Sequence, residues 1–189
     1  RVVCHSGSLD TLVAELATHR FDLVLSSSAL SPSSGFRVYS HLLGECDIAF
    51  FAATRLAKKL QPGFPRSLHQ APILLPTERS PTRRVFETWF AQQGAAPTVV
   101  GEFDDSAMLK TFGQSGLGVF AAPSVIEEEI IRQCKVRLIG RAGTMQARFY
   151  ALSMERRIRH PALVHITQGA RTVLFGEHGG ASAKDTGGS

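Results

Sequence analysis

The sequence Gly101-Glu102-Phe103-Asp104-Asp105, followed after a helix-like run by Gly116-Leu117-Gly118-Val119-Phe120-Ala121-Ala122-Pro123, decides the fold. It predicts a strand, a loop, a helix, a glycine turn and a buried strand. Asp104 and Asp105 stand where a polar loop meets a helix N-terminus. In open α/β folds, ligands bind at the carboxyl ends of strands, near the N-termini of helices. The two aspartates are therefore candidate ligand-sensing residues.

The alternation of strand and helix extends toward the N-terminus from this stretch. Ile73-Leu74-Leu75 and Thr98-Val99-Val100 predict strands. Between them, Ser80 and Pro81 predict the start of a helix that Gly94 ends. Because short βα units need parallel sheets covered by helices, an α/β fold is expected.

The first thirty residues repeat this pattern. Val2-Val3-Cys4 predicts a short strand, and Ser8 predicts the N-cap of a helix with apolar residues at helical spacing. Leu23-Val24-Leu25 is a continuous apolar run, which is typical of a strand buried on both faces of a parallel sheet.

Two strand-rich segments indicate that the chain crosses between lobes. Strands are predicted over residues 37–43 and 47–52, with Gly44-Glu45 between them, and over residues 136–139 and 147–154. We therefore predict two α/β lobes around a cleft, with lobe I formed by residues 1–46 and 148–176 and lobe II by residues 47–147. Residues 177–189 are rich in Gly, Ala and Ser and predict a disordered tail.

Composition narrows the function classes. The chain has 189 residues, 43% of them hydrophobic and 20% charged, which fits a globular protein with a core of its own. No apolar run approaches the ~20 residues that span a bilayer, and no signal peptide is recognisable. Three widely spaced cysteines argue against a disulfide framework or a zinc site and favour a reducing cytosol. The net charge of +5 indicates a solvated surface more than a polyanion partner.

Catalytic, metal and cofactor motifs are not recognisable. The seven histidines show no His-x-x-x-His spacing, and no Cys-x-x-Cys, Gly-x-Ser-x-Gly or phosphate loop occurs. Gly116-Leu117-Gly118 lacks the third glycine and the following helix of a dinucleotide site. We expect no catalytic residue and no cofactor.

Four motifs, in this order and at these separations, resemble the effector-binding part of LysR-type transcriptional regulators. They are His5-Ser6-Gly7-Ser8-Leu9, Arg20-Phe21-Asp22-Leu23-Val24-Leu25-Ser26, His41-Leu42-Leu43-Gly44-Glu45 and Gly116-Leu117-Gly118-Val119-Phe120-Ala121-Ala122-Pro123. Within the family, the sequences of residues 40–45 and 101–107 resemble most those of an activator of sodium/proton antiporter genes.

The resemblance implies a two-lobed fold like that of type 2 periplasmic binding proteins, with a small effector in the interlobe cleft. It further implies a cytoplasmic homodimer or homotetramer, DNA binding through an N-terminal winged helix-turn-helix, and a response linked to Na⁺ or Li⁺. In the family, elements of the second lobe pair with the first lobe of another subunit, which here would involve residues 80–93 and 98–100. The winged helix-turn-helix and the first strand and helix of the effector domain are not found in the chain. Lobe I is therefore expected to be incomplete at its N-terminus.

The candidate effector-binding groups are hydroxyls and carboxylates, and most of them have an alternative structural role. Serine hydroxyls after a strand can bind an anion or a cation, or can satisfy a polar turn. Ser80 can serve as an N-cap, and each aspartate can cap the following helix or ligate a hard cation. The candidates are Ser6, Ser26, Ser27, Ser28, Thr77, Ser80, Asp104 and Asp105, of which only Asp104 and Asp105 are weak candidates for a metal ion.

Two other classes of protein remain open at this point. One is the solute-binding protein of a transporter, which predicts tight ligand binding by a secreted monomer. The other is an enzyme on a similar two-lobed fold, such as a relative of prephenate dehydratase or of a deaminase, which predicts a reactive group in the cleft.

Overall fold

The computed structural model describes residues 1–30 and 37–176, so the predicted tail at 177–189 lies outside the described residues. The chain forms two compact units. Unit 1 comprises Arg1–Glu45 and the chain from Arg148 onward, and unit 2 comprises Cys46–Ala147. None of the helices in the described ranges combines the length and the apolar character needed to cross a membrane.

The described part of unit 1 contains two helical segments, one complete strand and parts of two others. Ser8 begins the first helix as predicted, because its hydroxyl accepts a hydrogen bond from the backbone N–H of Thr11 at 3.3 Å. A π-helical turn over Ala170–Leu174 extends the last helix. The elements are α1 (Leu9–Ala17), β1 (Val24–Ser26), the first part of β2 (Tyr39–Ala53), the last part of β6 (Val136–Ser153) and α6 (Pro161–Gly169).

Strand β1 differs from its prediction in direction and burial. It pairs antiparallel with β6, Val24 lying opposite Leu152, whereas a parallel neighbour was predicted. Val24 and Leu152 pack with α1, but the side chain of Leu25 is 59% exposed. The apolar run is therefore buried on one face only, and the prediction of two buried faces is wrong.

The predicted strand at residues 2–4 is also wrong. The chain there is not in a β-ladder, and both Val2 and Val3 are exposed. β-Branched residues favour a strand only where a neighbouring strand and a packed face are present, and within the described residues none pairs with this segment.

Unit 2 is built around parallel strands flanked by helices. β3 and β4 run parallel, as predicted, and Ile73 of β3 forms a parallel bridge with Val119, just before β5. β5 in turn pairs antiparallel with β2. The elements are α2 (Thr54–Leu60), β3 (Pro72–Pro76), α3 (Pro81–Gln92), β4 (Thr98–Phe103), α4 (Ser106–Gln114), β5 (Phe120–Pro123) and α5 (Glu127–Cys134).

An aromatic cluster fills the core of unit 2. The ring of Phe50 stacks on Trp89 with centroids 5.1 Å apart and contacts the rings of Phe64, Phe86 and Phe90. Phe50 is completely buried. Because aromatic side chains bury large apolar areas, this cluster holds helix α3 against β2.

β2 and β6 are each one continuous strand, although each was predicted as two. In both strands the glycine in the predicted gap accommodates an aromatic ring instead of a turn. A Cβ atom on Gly44 would lie 2.2 Å from Cγ of Phe175, and one on Gly140 would lie 2.4 Å from Cδ1 of Phe64. These glycines permit close approach of a ring to the strand, and the ladder continues through them.

Candidate functional site

Two parallel strands of unit 2 end side by side, and a polar residue follows each one. Thr77 comes directly after β3, and Asp104 comes directly after β4. The hydroxyl of Thr77 donates a hydrogen bond to Oδ1 of Asp104, and the backbone N–H of Thr77 donates to the carbonyl of Phe103 at 3.2 Å. The structure thus brings together two residues that are 27 positions apart in the sequence. We call this region, from Thr77 to Ser80 and at Asp104–Asp105, the polar edge.

The helix that begins at the polar edge has Ser80 at its N-cap position and Pro81 at its first position, as predicted. The hydroxyl of Ser80 does not bond to the backbone of the helix, however. It lies 2.7 Å from the hydroxyl oxygen of Thr82, while the backbone N–H of Ser80 donates to the carbonyl of Thr77 at 3.0 Å. The side chain of Ser80 therefore has no structural capping role and retains hydrogen-bonding capacity.

Asp105 has the structural role that the sequence offered as an alternative. Its Oδ1 atom accepts hydrogen bonds from the backbone N–H groups of Ala107 at 2.6 Å and Met108 at 3.0 Å. These bonds begin α4 and hold one carboxylate oxygen in place. Asp104 is an exposed carboxylate with Thr77 as its hydrogen-bond donor, so it is the better placed of the two to meet a ligand.

Arg83 holds the polar edge together through its hydrogen bonds. The sequence alone did not identify this residue. Only 9% of the surface of Arg83 is exposed. One Nη1 atom donates to the carbonyl of Pro76 at 2.9 Å and to Oε1 of Glu102 at 2.5 Å, and Nε donates to Glu87 at 2.7 Å. These bonds join the first turn of α3 to the last residues of β3 and β4. The four-residue spacing from Arg83 to Glu87 on a helix indicates their ion pair, but not the bonds to Pro76 and Glu102.

Burial by itself would lower the pKa of Arg83, but the hydrogen bonds and negative charges of Glu102 and Glu87 outweigh it and raise the pKa above its ordinary value. A raised pKa means that the charged form is stabilised by folding. That stabilisation is present below the arginine pKa of the unfolded chain and is lost only as the pH rises through the still higher pKa of the folded state. The guanidinium therefore keeps the polar edge together throughout the neutral range.

The serines at the end of β1 form a turn of unit 1. The hydroxyl of Ser26 accepts a hydrogen bond from the backbone N–H of Ser28 at 3.0 Å, which is the self-satisfied turn offered as the alternative. Ser27 is exposed and Ser28 is half-buried.

Ser6 lies elsewhere in unit 1, before α1. It lines a surface depression of about 430 Å³ together with Thr11, Glu15 and Arg20. Nε of Arg20 and Oε2 of Glu15 form an ion pair at 3.0 Å, so these two charges in the depression neutralise each other.

Acidic and imidazole side chains do not gather into a metal centre in the part of the chain that the structure describes. No group of three or more His, Cys, Asp or Glu residues capable of holding a metal ion occurs in residues 1–30 and 37–176.

Comparison with protein families identifies the family to which this fold and its polar edge belong. The model of the LysR substrate binding domain matches residues 1–173, which is almost the whole described chain. The chain belongs to this family. It is the effector-binding domain of a LysR-type regulator, and this family consists of transcription regulators.

Among curated proteins, this LysR domain is similar to the transcriptional activator protein NhaR of Escherichia coli strain K12 and of Shigella flexneri. It is 29% identical to each over 172 residues, which cover 91% of this chain and 56% of the relative. The chain thus spans about half the length of the curated relatives it matches. NhaR is the activator that residues 40–45 and 101–107 were expected to resemble, and this expectation is confirmed.

Solved structures share the fold of the LysR domain. The regulatory domain of HypT from Salmonella typhimurium, in its apo form, has a TM-score of 0.67 and 16% identity, covering 90% of this chain and 82% of that one. The BenM effector binding domain, solved with its effector benzoate, has a TM-score of 0.69 and 11% identity, covering 95% and 81%. The predicted fold class, a two-lobed α/β fold like that of periplasmic binding proteins, is confirmed.

Proposed function

We propose that this LysR domain senses a small effector with its polar edge and oligomerises within a cytoplasmic, DNA-binding transcriptional activator. The hydrogen bond between Thr77 and Asp104 carries the proposal, because it joins the carboxyl ends of two parallel strands beside the starts of two helices. Ligands bind at such edges in α/β folds because strand ends and helix N-termini converge there.

The chemistry of the polar edge favours an effector that accepts oxygen ligands. Asp104 would repel an anion placed beside it, whereas its carboxylate and the hydroxyls of Thr77 and Ser80 supply the hard oxygen atoms that small cations prefer. We therefore propose a response to Na⁺ or Li⁺, in agreement with the resemblance to an activator of sodium/proton antiporter genes. A small carboxylate bound by Ser80 and the N-terminus of α3, away from Asp104, is the second candidate effector.

The sodium and lithium proposal predicts a saturable rise in the melting temperature Tm. The chain is titrated with NaCl or LiCl, and choline chloride keeps the ionic strength constant. Because binding to the folded state stabilises it by RT ln(1 + [L]/Kd), about 2.7 kcal/mol is expected at a hundredfold excess over Kd. Asp104→Asn should abolish the rise, whereas Asp22→Asn, at an exposed carboxylate of unit 1, should leave it intact.

Equal Tm values in choline, sodium and lithium would remove the cation proposal. The same titration with small carboxylates then tests the second effector, for which Ser80→Ala should reduce the shift and Asp104→Asn should leave it. A carboxylate shift together with a flat cation titration would leave the sensing function standing and correct only the class of effector.

The unit 1 candidates Ser6, Ser26, Ser27 and Ser28 are proposed as secondary effector contacts. We assign lobe I to residues 1–46 and 148–176 and lobe II to residues 47–147. In the full-length protein, effector binding would favour one arrangement of the lobes and so bias how paired subunits present their N-terminal winged helix-turn-helix domains to DNA. Such coupling needs a difference in effector affinity between two arrangements of typically ~1–3 kcal/mol.

The oligomerising surface is proposed on α3 and β4. β4 pairs only with β3 in the described sheets, so its other edge offers unpaired backbone groups, and its Val99 and Val100 are 40% and 41% exposed. Val85 on α3 is exposed as well. The proposed occupant is a second copy of the chain, which gives a homodimer that can pair further into a homotetramer.

Sedimentation velocity over a range of concentrations tests this surface. Val99→Glu should raise the dimer dissociation constant at least about tenfold, since it places a charge in an apolar contact. Ile131→Glu places a charge at an exposed apolar residue of α5, which belongs neither to the proposed surface nor to lobe I, and should leave the constant unchanged. A wild-type chain that remains monomeric at all concentrations would contradict the proposal.

A further inference from the structure

A second concave surface of unit 2 lies between α2 and the turn that joins α5 to β6. Its volume is about 470 Å³, and it is open to solvent over most of its surface. Helix α2 and its C-cap contribute the first wall, with Thr54 at one end and Gln61 at the other. Ile131, Lys135, Val136, Arg137 and Leu138 form the second wall.

This surface, which we call the basal depression, lies at the opposite end of the parallel strands from the polar edge. Phe51, near the end of β2, pairs with Phe120 at the start of β5, and α2 follows β2 directly. The parallel bridge between Ile73 and Val119 puts the starts of β3 and β5 at that same end. Thr77 and Asp104 follow the other ends of β3 and β4.

The charges around the basal depression are positive. Lys135 and Arg137 line it, and none of the lining residues carries a carboxylate. Lys58 is four residues after Thr54 and three before Gln61, so it shares their face of α2.

These three cations have no ion-pair partner among the described residues, whereas two nearby arginines do. Arg132 pairs with Glu129, and Arg141 pairs with Glu127 with an Nε–Oε2 distance of 2.9 Å. Glu129 and Glu127 thus neutralise those two arginines, and Lys58, Lys135 and Arg137 have no such partner. The third acidic residue of α5, Glu128, is exposed and lies three residues before Ile131, so it offsets part of this positive charge.

The wall on the α5 side also offers apolar contact. The side chain of Ile131 is 37% exposed, and Leu138 is half-buried. An inorganic anion needs only positive charge and hydrogen-bond donors. Covering the exposed Ile131 with an apolar group is favourable because it removes apolar surface from water, so a ligand with an apolar part is favoured here.

We propose that the basal depression is a second ligand site, for a small organic oxyanion that has an apolar body. Lys135 and Arg137 bind the carboxylate or phosphate group, Thr54 and Gln61 add hydrogen bonds, and the apolar body covers Ile131. The site is independent of the polar edge and of any effector bound there.

Phenyl phosphate is the probe, and ¹H–¹⁵N NMR of the whole chain is the measurement. Saturable shifts are expected at the backbone amides of Ile131, Lys135 and Arg137, with weaker binding of inorganic phosphate, which has no apolar body. Affinity should fall as NaCl rises, because salt screens exposed charges. Lys58→Gln should weaken binding about two- to fivefold, the range of an exposed ion pair.

Lys59→Gln is the matched control for Lys58→Gln, since it removes the same charge from the adjacent position, on another face of α2. It should leave the affinity unchanged, as should Thr77→Val at the polar edge. Equal weakening by Lys58→Gln and Lys59→Gln would overturn the proposal, because it would show nonspecific attraction. Binding of an acidic peptide without binding of phenyl phosphate would also overturn it, in favour of a protein partner, as would shifts that never saturate.

Discussion

Replacing Phe50 with alanine is expected to lower the free energy of unfolding by about 3–5 kcal/mol. The ring is completely buried and contacts the four other aromatic side chains of its cluster, Phe64, Phe86, Trp89 and Phe90. Its removal loses the favourable free energy of burying a large apolar side chain. It also leaves a cavity that the surrounding rings cannot fill. Since small domains are stable by only about 5–15 kcal/mol, much of the stability is lost. Urea unfolding followed by circular dichroism measures the change.

Phe112→Ala is the matched control for this prediction. Phe112 lies on α4, is 41% exposed and meets one aromatic ring, that of Phe103, at a centroid distance of 5.1 Å. Loss of a single aromatic pair on a half-exposed surface is expected to cost less than about 1.5 kcal/mol. Equal losses for the two variants would contradict the assignment of Phe50 to the centre of the core.

Gly113→Ala is expected to destabilise the chain by about 1–3 kcal/mol, even though alanine is the better helix former. A Cβ atom on Gly113 would lie 2.1 Å from Cδ1 of Phe120. Phe120 is completely buried and stacks on Phe51 with centroids 5.6 Å apart, so its ring has no room to withdraw. The overlap must be relieved by moving α4 away from β5. Urea unfolding of the variant checks the sign and the size of the effect.

The same substitution at Gly169 should have the opposite sign. Gly169 lies at the end of α6 with helical dihedral angles, φ −56° and ψ −44°, and a Cβ atom there would meet nothing within 4 Å. Only the helix propensity then changes, so Gly169→Ala should stabilise the chain by up to about 1 kcal/mol. Stabilisation by Gly113→Ala would show that α4 does not pack on Phe120 as described. Destabilisation by Gly169→Ala would show that the Cβ position at Gly169 is not open.

Helix boundaries could be predicted because their signals are local. Ser8 accepts the hydrogen bond that begins α1, Pro81 stands at the first position of α3, and Asp105 caps α4. Gly94 follows α3 in a left-handed conformation with φ 64°. Each signal acts within four residues of the helix end, so it is readable without knowledge of the tertiary structure.

Strand lengths and directions could not be predicted, because they depend on residues far away in sequence. Glycine is typical of a break between strands, but Gly44 and Gly140 each face an aromatic ring. The rings are those of Phe175, 131 positions from Gly44, and of Phe64, 76 positions from Gly140. Likewise, the run Leu23-Val24-Leu25 does not reveal that its neighbour is the antiparallel β6. Local pattern gives the presence of a strand, and the partner decides its length, direction and buried face.

The polar edge was partly predictable for the same reason. Because β3 and β4 are consecutive parallel strands, the residues that follow them were bound to meet, and Thr77 and Asp104 do. The supporting role of Arg83 depends on its burial against Pro76 and Glu102, which no local pattern indicates. The effector contacts themselves remain predictions.

Mapping a bound effector onto the chain tests the central claim most directly. ¹H–¹⁵N NMR spectra are recorded while NaCl, LiCl and a set of small carboxylates are added in turn at constant ionic strength. The predicted result is that the ligand that binds saturably shifts the backbone amides of Thr77, Ser80 and Asp104. A saturable ligand that leaves all three amides unmoved would contradict the assignment of the polar edge as the effector site.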